Sequence, residues 1–97
     1  MKIVRYRTRE DAADENQRLV EQVLAELNTK DPGGLRYASF RLADGVSFVH
    51  VVISEDGSDP LAKSAAFAEF QTGIGDRLVA PPEVAEASLI GSYRILT

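Results

Sequence analysis

The stretch RYASFRLADGVSFVHVV, residues 36–52, decides the fold because it predicts two strands joined by a turn. Both ends of this stretch are rich in β-branched and aromatic residues, a composition typical of strands. Asp44-Gly45 lies between two apolar runs and is a strong signal for a tight hairpin turn. The sequence therefore predicts strands over about 35–42 and 46–54. The second strand contains His50, the one histidine of the chain.

The segments on either side of the hairpin complete the order of elements. Residues 2–8 roughly alternate polar and apolar side chains and predict a strand, whereas apolar residues recur every three or four positions over about 9–29 and predict a helix. A second helical region is predicted over about 60–79, interrupted near Lys63-Ser64, and a last strand over about 84–96. The order βαββαβ is typical of the α+β, ferredoxin-like fold, a four-stranded antiparallel sheet with two helices on one face. We expect one such domain over residues 1–97.

This architecture leaves the second face of the sheet uncovered. The residues predicted to lie there are largely apolar, and a bare apolar face usually marks a partner surface. Most oligomers of identical chains are closed two-fold dimers. The sequence therefore predicts a homodimer that packs through the open sheet face.

The composition excludes several classes of function. The 97 residues carry a formal net charge of −4 and include no cysteine. An acidic chain is poorly suited to nucleic acid, whose phosphates are bound by Lys and Arg, and no apolar run is long enough to span a membrane. The N-terminal sequence MKIVRYRTRE lacks the apolar core of a signal peptide, so we expect a cytoplasmic location. With one histidine and no cysteine, no metal site is predicted.

The register of the hairpin determines which side chains surround His50. A two-residue turn at Asp44-Gly45 pairs Ser39 with His50 and places a mixed polar and aromatic set on one face, as in a ligand pocket. This set comprises Tyr37, Ser39, Arg41, Phe48 and His50. A three-residue turn with a bulge would instead place His50 against Ala38 or Phe40. The sequence favours the first register.

His50 has two interpretations. It is either a neutral core imidazole, bonded to Ser39, a backbone group or water, or a general base that takes a phenolic or enolic proton from a substrate. The second interpretation makes His50 and Arg41 the catalytic pair, in which Arg41 stabilises the anion that the base creates. Tyr37, Ser39 and Phe48 would then contact the substrate.

Two further polar residues outside the hairpin are candidates. Arg5 and Arg7 share one face of a strand predicted to be central in the sheet. There they would form ion pairs, for instance with Glu83 or Glu86, or Arg5 would bind the anion of a substrate. Asn16 interrupts the apolar stripe of the first helix. It would be exposed, bonded to the backbone, or hydrogen-bonded to a ligand between sheet and helix.

The order of elements, the hairpin, the phrase DPLAKSAAFAEFQTGI and the final GSYRIL together resemble the dimeric α+β barrel superfamily, closest to its antibiotic biosynthesis monooxygenase-like group. The resemblance implies a sheet-to-sheet dimer with a pocket between sheet and helices in each subunit. Some members of the group oxidise polycyclic phenols with O₂, and the resemblance to them implies no cofactor. The superfamily also includes haem-degrading enzymes and lactone isomerases. The chain has no Trp, on which haem-degrading relatives rely, and this disfavours haem degradation.

The leading functional hypothesis is a cofactor-independent monooxygenase that acts on a small aromatic phenol. His50 would remove the phenolic proton, Arg5 or Arg41 would stabilise the anion, and the phenolate would reduce O₂. One alternative is a non-catalytic homodimeric ligand-binding or scaffold domain, and another is an isomerase or cyclase that uses the same base without O₂. The surroundings of His50 discriminate between an enzyme and a non-catalytic domain, because an enzyme requires the imidazole to line a cavity with Tyr37 or Arg41.

Overall fold

A computed structural model describes residues 1–95 as a four-stranded antiparallel sheet covered on one face by helices. The strands are β1 (Lys2–Arg7), β2 (Leu35–Arg41), β3 (Ser47–Ser54) and β4 (Glu83–Glu86), in the sheet order β2-β3-β1-β4. The helices are α1 (Ala13–Lys30), α2 (Ala65–Gln71) and α3 (Ile74–Arg77), with 3₁₀ turns at Glu10–Ala12 and Pro60–Lys63. The predicted ferredoxin-like arrangement is confirmed.

The hairpin between β2 and β3 has the predicted register with a longer turn. Ser39 lies opposite His50, as expected from the sequence. The Leu42 N–H donates to Ser47 O at 2.8 Å, and the Gly45 N–H donates to Leu42 O at 3.0 Å. The loop therefore covers residues 43–46 instead of Asp44-Gly45 alone. Because it gains one residue on each side of the predicted turn, the pairing of the strands is unchanged.

The pairing of β1 with β3 shows which side chains meet the helices. Tyr6 lies opposite Phe48, and Val4 lies opposite His50. The rings of Tyr6 and Phe48 are buried and stack with their centroids 5.6 Å apart. Since successive side chains of a strand point to opposite faces, the intervening residue Arg5 lies on the open face.

Helix α1 packs an apolar stripe against the sheet. Four of its buried residues, Ala13, Asn16, Val20 and Val23, recur at spacings of three and four, and Leu19 is buried beside them, so they lie on one side of the helix. Burying an aliphatic side chain of this size contributes about 1.5–3 kcal/mol to folding. The hydrophobic core comprises Tyr6, Ala13, Leu19, Val20, Val23, Val46, Phe48, Leu61 and Phe70.

The second helical region is divided into short segments. Ser64 has an extended backbone, and its Oγ accepts a hydrogen bond from the Phe67 N–H at 3.0 Å, which caps the start of α2. This confirms the interruption predicted near Lys63-Ser64. A second interruption follows at Gly73, whose φ of 74° is in the left-handed region that glycine adopts without strain. The chain therefore turns again before α3.

The last strand is shorter than predicted. The sequence predicted a strand over about 84–96, but β4 ends at Glu86, and residue 96 lies outside the described residues. The Ala87 N–H donates to Met1 O at 2.8 Å, and no other described strand lies alongside the chain after that bond. A strand needs a neighbour for its backbone groups, so the apolar pattern alone does not extend it. Exposed apolar side chains follow at Leu89, Ile90, Tyr93 and Ile95.

The open face of the sheet is apolar at its centre. It carries Ile3, Ala38, Phe40, Val49, Val51 and Ile53. No helix within residues 1–95 has the length and apolar character needed to cross a membrane. The cytoplasmic location stays a prediction.

Candidate functional site

A cavity of about 590 Å³ lies between the sheet and the helices α2 and α3. Its inner wall is formed by the buried side chains of Tyr6, His50 and Phe70, and Tyr37 lies beside them. Most of the remaining lining residues are apolar: Met1, Val4, Leu35, Val52, Leu61, Phe67, Ile74, Pro82 and Val84. The exposed side chains of Lys2 and Glu86 mark its outer edge. A mostly apolar cavity with a few convergent polar groups is typical of a small-molecule site.

His50 is the centre of the polar groups in this cavity. Only 4% of the residue is exposed, and both ring nitrogens have partners. Nε2 lies 2.8 Å from the Tyr6 hydroxyl, while Nδ1 lies 2.7 Å from the Tyr37 hydroxyl and 2.8 Å from Ser39 Oγ. The hairpin register brings Tyr37 and Ser39 to the imidazole, because all three side chains share one face of paired strands. The hydroxyl groups bonded to the His50 nitrogens therefore lie between a ligand in the cavity and those nitrogens.

The hydrogen-bonded chain continues beyond Tyr6 into the protein. Asn16, which is fully buried on α1, donates from Nδ2 to the Tyr6 hydroxyl oxygen at 2.9 Å. Nε of Arg77 donates to Asn16 Oδ1 at 3.1 Å. Five side chains from β1, β2, β3, α1 and α3 are thus joined in one path: Tyr37, His50, Tyr6, Asn16 and Arg77. Asn16 is bonded to protein groups and does not line the cavity itself.

Burial sets the protonation of the groups in this path. Desolvation lowers the pKa of His50 from 6.5 to about 4, so the imidazole is neutral at pH 7. Desolvation also raises the pKa of Tyr6 to about 12, although the hydrogen bond from Asn16 opposes this rise. The pKa of Tyr37 is raised by burial as well. Neutral imidazole and neutral phenols are therefore the resting forms.

Arg41 and Phe48 share the face of His50 but lie outside the cavity. The Arg41 guanidinium donates to Asp14 Oδ1 at 3.1 Å, Gln17 Oε1 at 2.7 Å and Gly45 O at 2.9 Å. These bonds hold the guanidinium at the N-terminal end of α1, where its Cζ lies 5.6 Å from the centroid of the Phe48 ring. Phe48 is buried beneath Tyr6 and supports that ring. The structure thus separates Arg41 from His50, with which the sequence grouped it.

Arg5 is on the opposite face of the sheet from His50. It pairs with Val49 on β3 and with Glu83 on β4, and its side chain is exposed. The sequence correctly placed Arg5 and Arg7 on the same face of β1. The helices cover the other face, which carries Val4 and Tyr6. The cavity wall therefore does not include Arg5.

Three residues of the site were not predicted from the sequence. Tyr6 was not among the candidates, although its spacing of two from Val4 indicated that both side chains share one face of the strand, and both line the cavity. Lys2, on the same side of β1, was overlooked and is the one Lys or Arg side chain among residues 1–95 that lines the cavity. Arg77 had no sequence signal, because a polar residue in a short glycine-containing segment is ordinarily exposed.

Comparison with known proteins identifies the fold. No protein-family model matches the chain, and no curated protein matches it. Solved structures do match. A Nitrosomonas europaea protein, assigned by name provisionally to the antibiotic biosynthesis monooxygenases, has 17% identity and a TM-score of 0.73 over 93% of this chain and 97% of its own. The chain has the antibiotic biosynthesis monooxygenase-like fold. The resemblance seen in the sequence is thus confirmed at the level of the fold.

Two further solved structures agree. A Mycobacterium tuberculosis protein is 22% identical, with a TM-score of 0.68 over 95% of this chain and 96% of its own. A structure named as an antibiotic biosynthesis monooxygenase is 17% identical, with a TM-score of 0.66 over 93% of this chain and 97% of its own. At these identities the likeness concerns the fold and leaves the activity and the roles of the site residues as predictions.

Proposed function

We propose that the chain is a cofactor-independent monooxygenase-like enzyme that oxidises a small aromatic phenol in the cavity between sheet and helices. One observation carries the proposal: His50, neutral and buried, lines a cavity of about 590 Å³ with both nitrogens bonded to hydroxyl groups. This volume lies within the range of about 300–1,000 Å³ typical of small-molecule sites. The stacked rings of Phe67 and Phe70 suit an aromatic ligand.

The first step in this proposal is removal of the phenolic proton. Because both nitrogens of His50 already have hydroxyl partners, the proton reaches the imidazole through Tyr6 or Tyr37, each of which lines the cavity. The substrate hydroxyl protonates the tyrosine oxygen while the tyrosine proton moves to the imidazole. The products are a phenolate, an imidazolium and an unchanged tyrosine.

The low basicity of His50 restricts the substrate class. With its pKa at about 4, the imidazole takes a proton most readily from an acidic hydroxyl. Phenols and enols conjugated to a carbonyl are more acidic than aliphatic alcohols, so they suit this base better. The adjacent phenolate then stabilises the imidazolium, because opposite charges in a poorly solvated site attract strongly.

The phenolate then reacts with O₂. The substrate supplies every electron: one oxygen atom forms a bond to the ring carbon para to the phenolic oxygen. The resulting peroxide takes back the proton held by His50, which gives a hydroperoxide and restores the neutral imidazole. Loss of water breaks the O–O bond and leaves a quinone, so phenol and O₂ become quinone and water. The cavity would exclude bulk water from these intermediates.

Lys2 is the cationic group in this proposal, because it lines the cavity, whereas Arg5 and Arg41 do not. Lys2 and Tyr6 lie four residues apart on one side of β1, which corresponds to about 13 Å along the strand. A substrate that reaches from His50 to the cavity edge would place a polar substituent near the Lys2 ammonium. Glu86 pairs with Lys2 across the sheet, so this edge suits a neutral or singly charged substituent.

The proposal includes a homodimer through the open sheet face. Its support is the apolar centre of that face together with the exposed apolar residues that follow β4. A partner placed there would cover Val49, Val51 and Ile53 without approaching His50, which lies on the other face.

The decisive experiment is O₂ consumption with a panel of polycyclic and dihydroxy phenols. Wild type should consume O₂ and form quinone, and His50→Gln should lower kcat by about 10²–10⁴-fold, as expected for loss of a positioned base. Arg36→Met is the matched control, because Arg36 is exposed and paired with Glu55 away from the cavity. Equal uptake in wild type and His50→Gln, or no uptake in either, contradicts the proposal.

Two alternatives give different results in the same assay. A fully hydrogen-bonded imidazole with a low pKa also suits a non-catalytic ligand-binding domain, which would bind the phenols without O₂ uptake. An isomerase or cyclase would convert its substrate equally well under nitrogen.

A further inference from the structure

Arg77 is a buried cation whose partners are neutral. Its exposed fraction is 8%, and no carboxylate within residues 1–95 forms a salt bridge with it. Nη2 donates to Phe70 O at 2.6 Å, Nη1 donates to Thr72 O at 3.2 Å, and the guanidinium lies over the Phe70 ring at 5.3 Å. Carbonyl groups at the C-terminal end of α2 carry partial negative charge and stabilise the cation there. Nε donates to Asn16 Oδ1.

The Arg77 contact determines the orientation of the Asn16 amide. A guanidinium has donors and no acceptor, so the atom 3.1 Å from Nε is the amide oxygen. The amide nitrogen then faces Tyr6, 2.9 Å from its hydroxyl oxygen, and donates to it. Asn16 is completely buried, so no solvent competes for either group.

This donor determines where the Tyr6 proton lies. A phenolic hydroxyl has one proton, and its oxygen already accepts from Asn16. The arrangement that gives each of these buried donors an acceptor has the Tyr6 O–H donating to Nε2 of His50. Nδ1 then carries the imidazole hydrogen, which the oxygens of Tyr37 and Ser39 accept.

We propose that Arg77 is a positioning residue that, through Asn16 and Tyr6, fixes His50 as the Nδ1–H tautomer and makes Tyr6 the hydroxyl that transfers the proton of the substrate. The tautomer assignment depends on these contacts alone, whereas the role of Tyr6 rests on the proposed function. In that role the O–H bond of the substrate breaks, its proton binds the Tyr6 oxygen, and the former Tyr6 proton binds Nε2. Tyr37 and Ser39 accept from Nδ1–H throughout and stabilise the imidazolium.

The tautomer is directly measurable because the chain has one histidine. Two-bond ¹H–¹⁵N correlation spectra of the side chain at pH 7 distinguish Nδ1–H from Nε2–H. Wild type, Arg77→Lys and the control Arg36→Met should each show Nδ1–H, because a lysine ammonium also donates to Asn16. Arg77→Met should show a mixture of tautomers or the Nε2–H form. An Nε2–H spectrum in wild type, or pure Nδ1–H in folded Arg77→Met, overturns the assignment.

The variant Asn16→Asp tests the assigned tautomer of His50 even if Arg77→Met does not fold. The introduced carboxylate accepts from Arg77 and from the Tyr6 O–H, so it reverses the hydrogen bond between Tyr6 and His50. We expect His50 to change to the Nε2–H tautomer. Retention of Nδ1–H in folded Asn16→Asp would overturn the proposal.

The proton-transfer role has a separate readout once a substrate is in hand. Tyr6→Phe should lower kcat by about 10²–10⁴-fold and Tyr37→Phe by no more than about 10-fold, since Tyr37 orients the base without receiving the proton. The opposite order overturns the role of Tyr6 while the monooxygenase proposal stands. Absence of turnover in wild type contradicts the monooxygenase proposal, and the tautomer spectra still decide the role of Arg77.

Discussion

The Tyr6 hydroxyl lies 2.8 Å from Nε2 of His50, and the two rings stack with centroids 5.3 Å apart. This pair joins β1 to β3 through side chains on the face that the helices cover. It also joins the cavity to the interior of the protein, because Asn16 bonds to the same hydroxyl. The pair therefore contributes both to folding and to the chemistry proposed for the cavity.

Replacing Tyr6 with Phe should lower the free energy of unfolding by about 1–3 kcal/mol. The substitution keeps the ring but leaves Nδ2 of Asn16 and Nε2 of His50 without their partner, and an unsatisfied buried polar group costs about this much. Urea denaturation followed by circular dichroism measures the change. Tyr93→Phe, at an exposed tyrosine, is the control and should be neutral. Equal stabilities of wild type and Tyr6→Phe would contradict the hydrogen-bonded path.

The stability of the protein should fall between pH 6.5 and about 4 because of His50. Its pKa is lowered to about 4 by burial, whereas the unfolded chain has the ordinary value of 6.5. In this range the unfolded state binds a proton that the folded state does not, so acidification favours unfolding. The full effect is about 3 kcal/mol, complete once the pH is below 4.

His50→Gln isolates this contribution because the chain has no other histidine. Glutamine retains hydrogen-bonding groups but does not titrate, so its stability curve should be flatter than that of wild type between pH 7 and 4. Denaturant midpoints over this range measure the difference. Parallel curves for the two proteins would show that His50 is not desolvated.

Glu26→Gln should weaken the contact between α1 and α2. The Glu26 carboxylate accepts hydrogen bonds from Lys30 Nζ at 2.8 Å, from the Ala66 N–H at 3.0 Å and from Ser64 Oγ. These bonds lower its pKa from 4.5 to about 2, so its stabilising effect is present above pH 4.5 and is lost as the pH falls through 2. The melting temperature of Glu26→Gln should therefore be below that of wild type at pH 7, with the gap closing toward pH 2.

Glu21→Gln is the matched control on the same helix, since Glu21 accepts from Gln17 on the exposed side. Its melting temperature should stay close to that of wild type. A destabilisation by Glu26→Gln that does not change with pH would contradict a role for the charged carboxylate.

Val51→Glu should convert the proposed dimer to a monomer. Val51 lies at the centre of the open face, opposite Ile3 and Ala38, where a charge in a two-fold interface would be buried without a partner. Light scattering at micromolar concentration measures the change in mass, and circular dichroism should be unchanged. Ala25→Glu adds the same charge on the exposed side of α1 as a control. A monomeric wild type would refute the dimer.

The fold followed from the sequence where local chemistry determines geometry. Asp44-Gly45 predicted the pairing of Ser39 with His50, and the longer loop preserved it because residues were added symmetrically. The length of the last strand could not be predicted from the sequence, because it depends on the neighbouring strand as well as on the strand's own pattern. The apolar pattern continues past Glu86, but no described strand pairs with it.

The site followed from the sequence only in part, for reasons of packing. Tyr37 and Ser39 were grouped with His50 because hairpin pairing is local. The group formed by His50, Asn16 and Arg77 depends on how α1 and α3 cross the sheet, which no spacing in the sequence encodes. The side of the sheet on which Arg5 lies could not be predicted, because alternation along β1 does not say which side the helices cover.

The chain contains three tyrosines and no tryptophan. Two of those tyrosines, Tyr6 and Tyr37, flank His50 in the cavity, and Tyr93 is exposed. The ultraviolet emission of the protein therefore comes from tyrosine, and most of its fluorophores are in contact with the site. A molecule that enters the cavity would alter that emission, so occupancy can be followed in solution without a label and before any reaction is known.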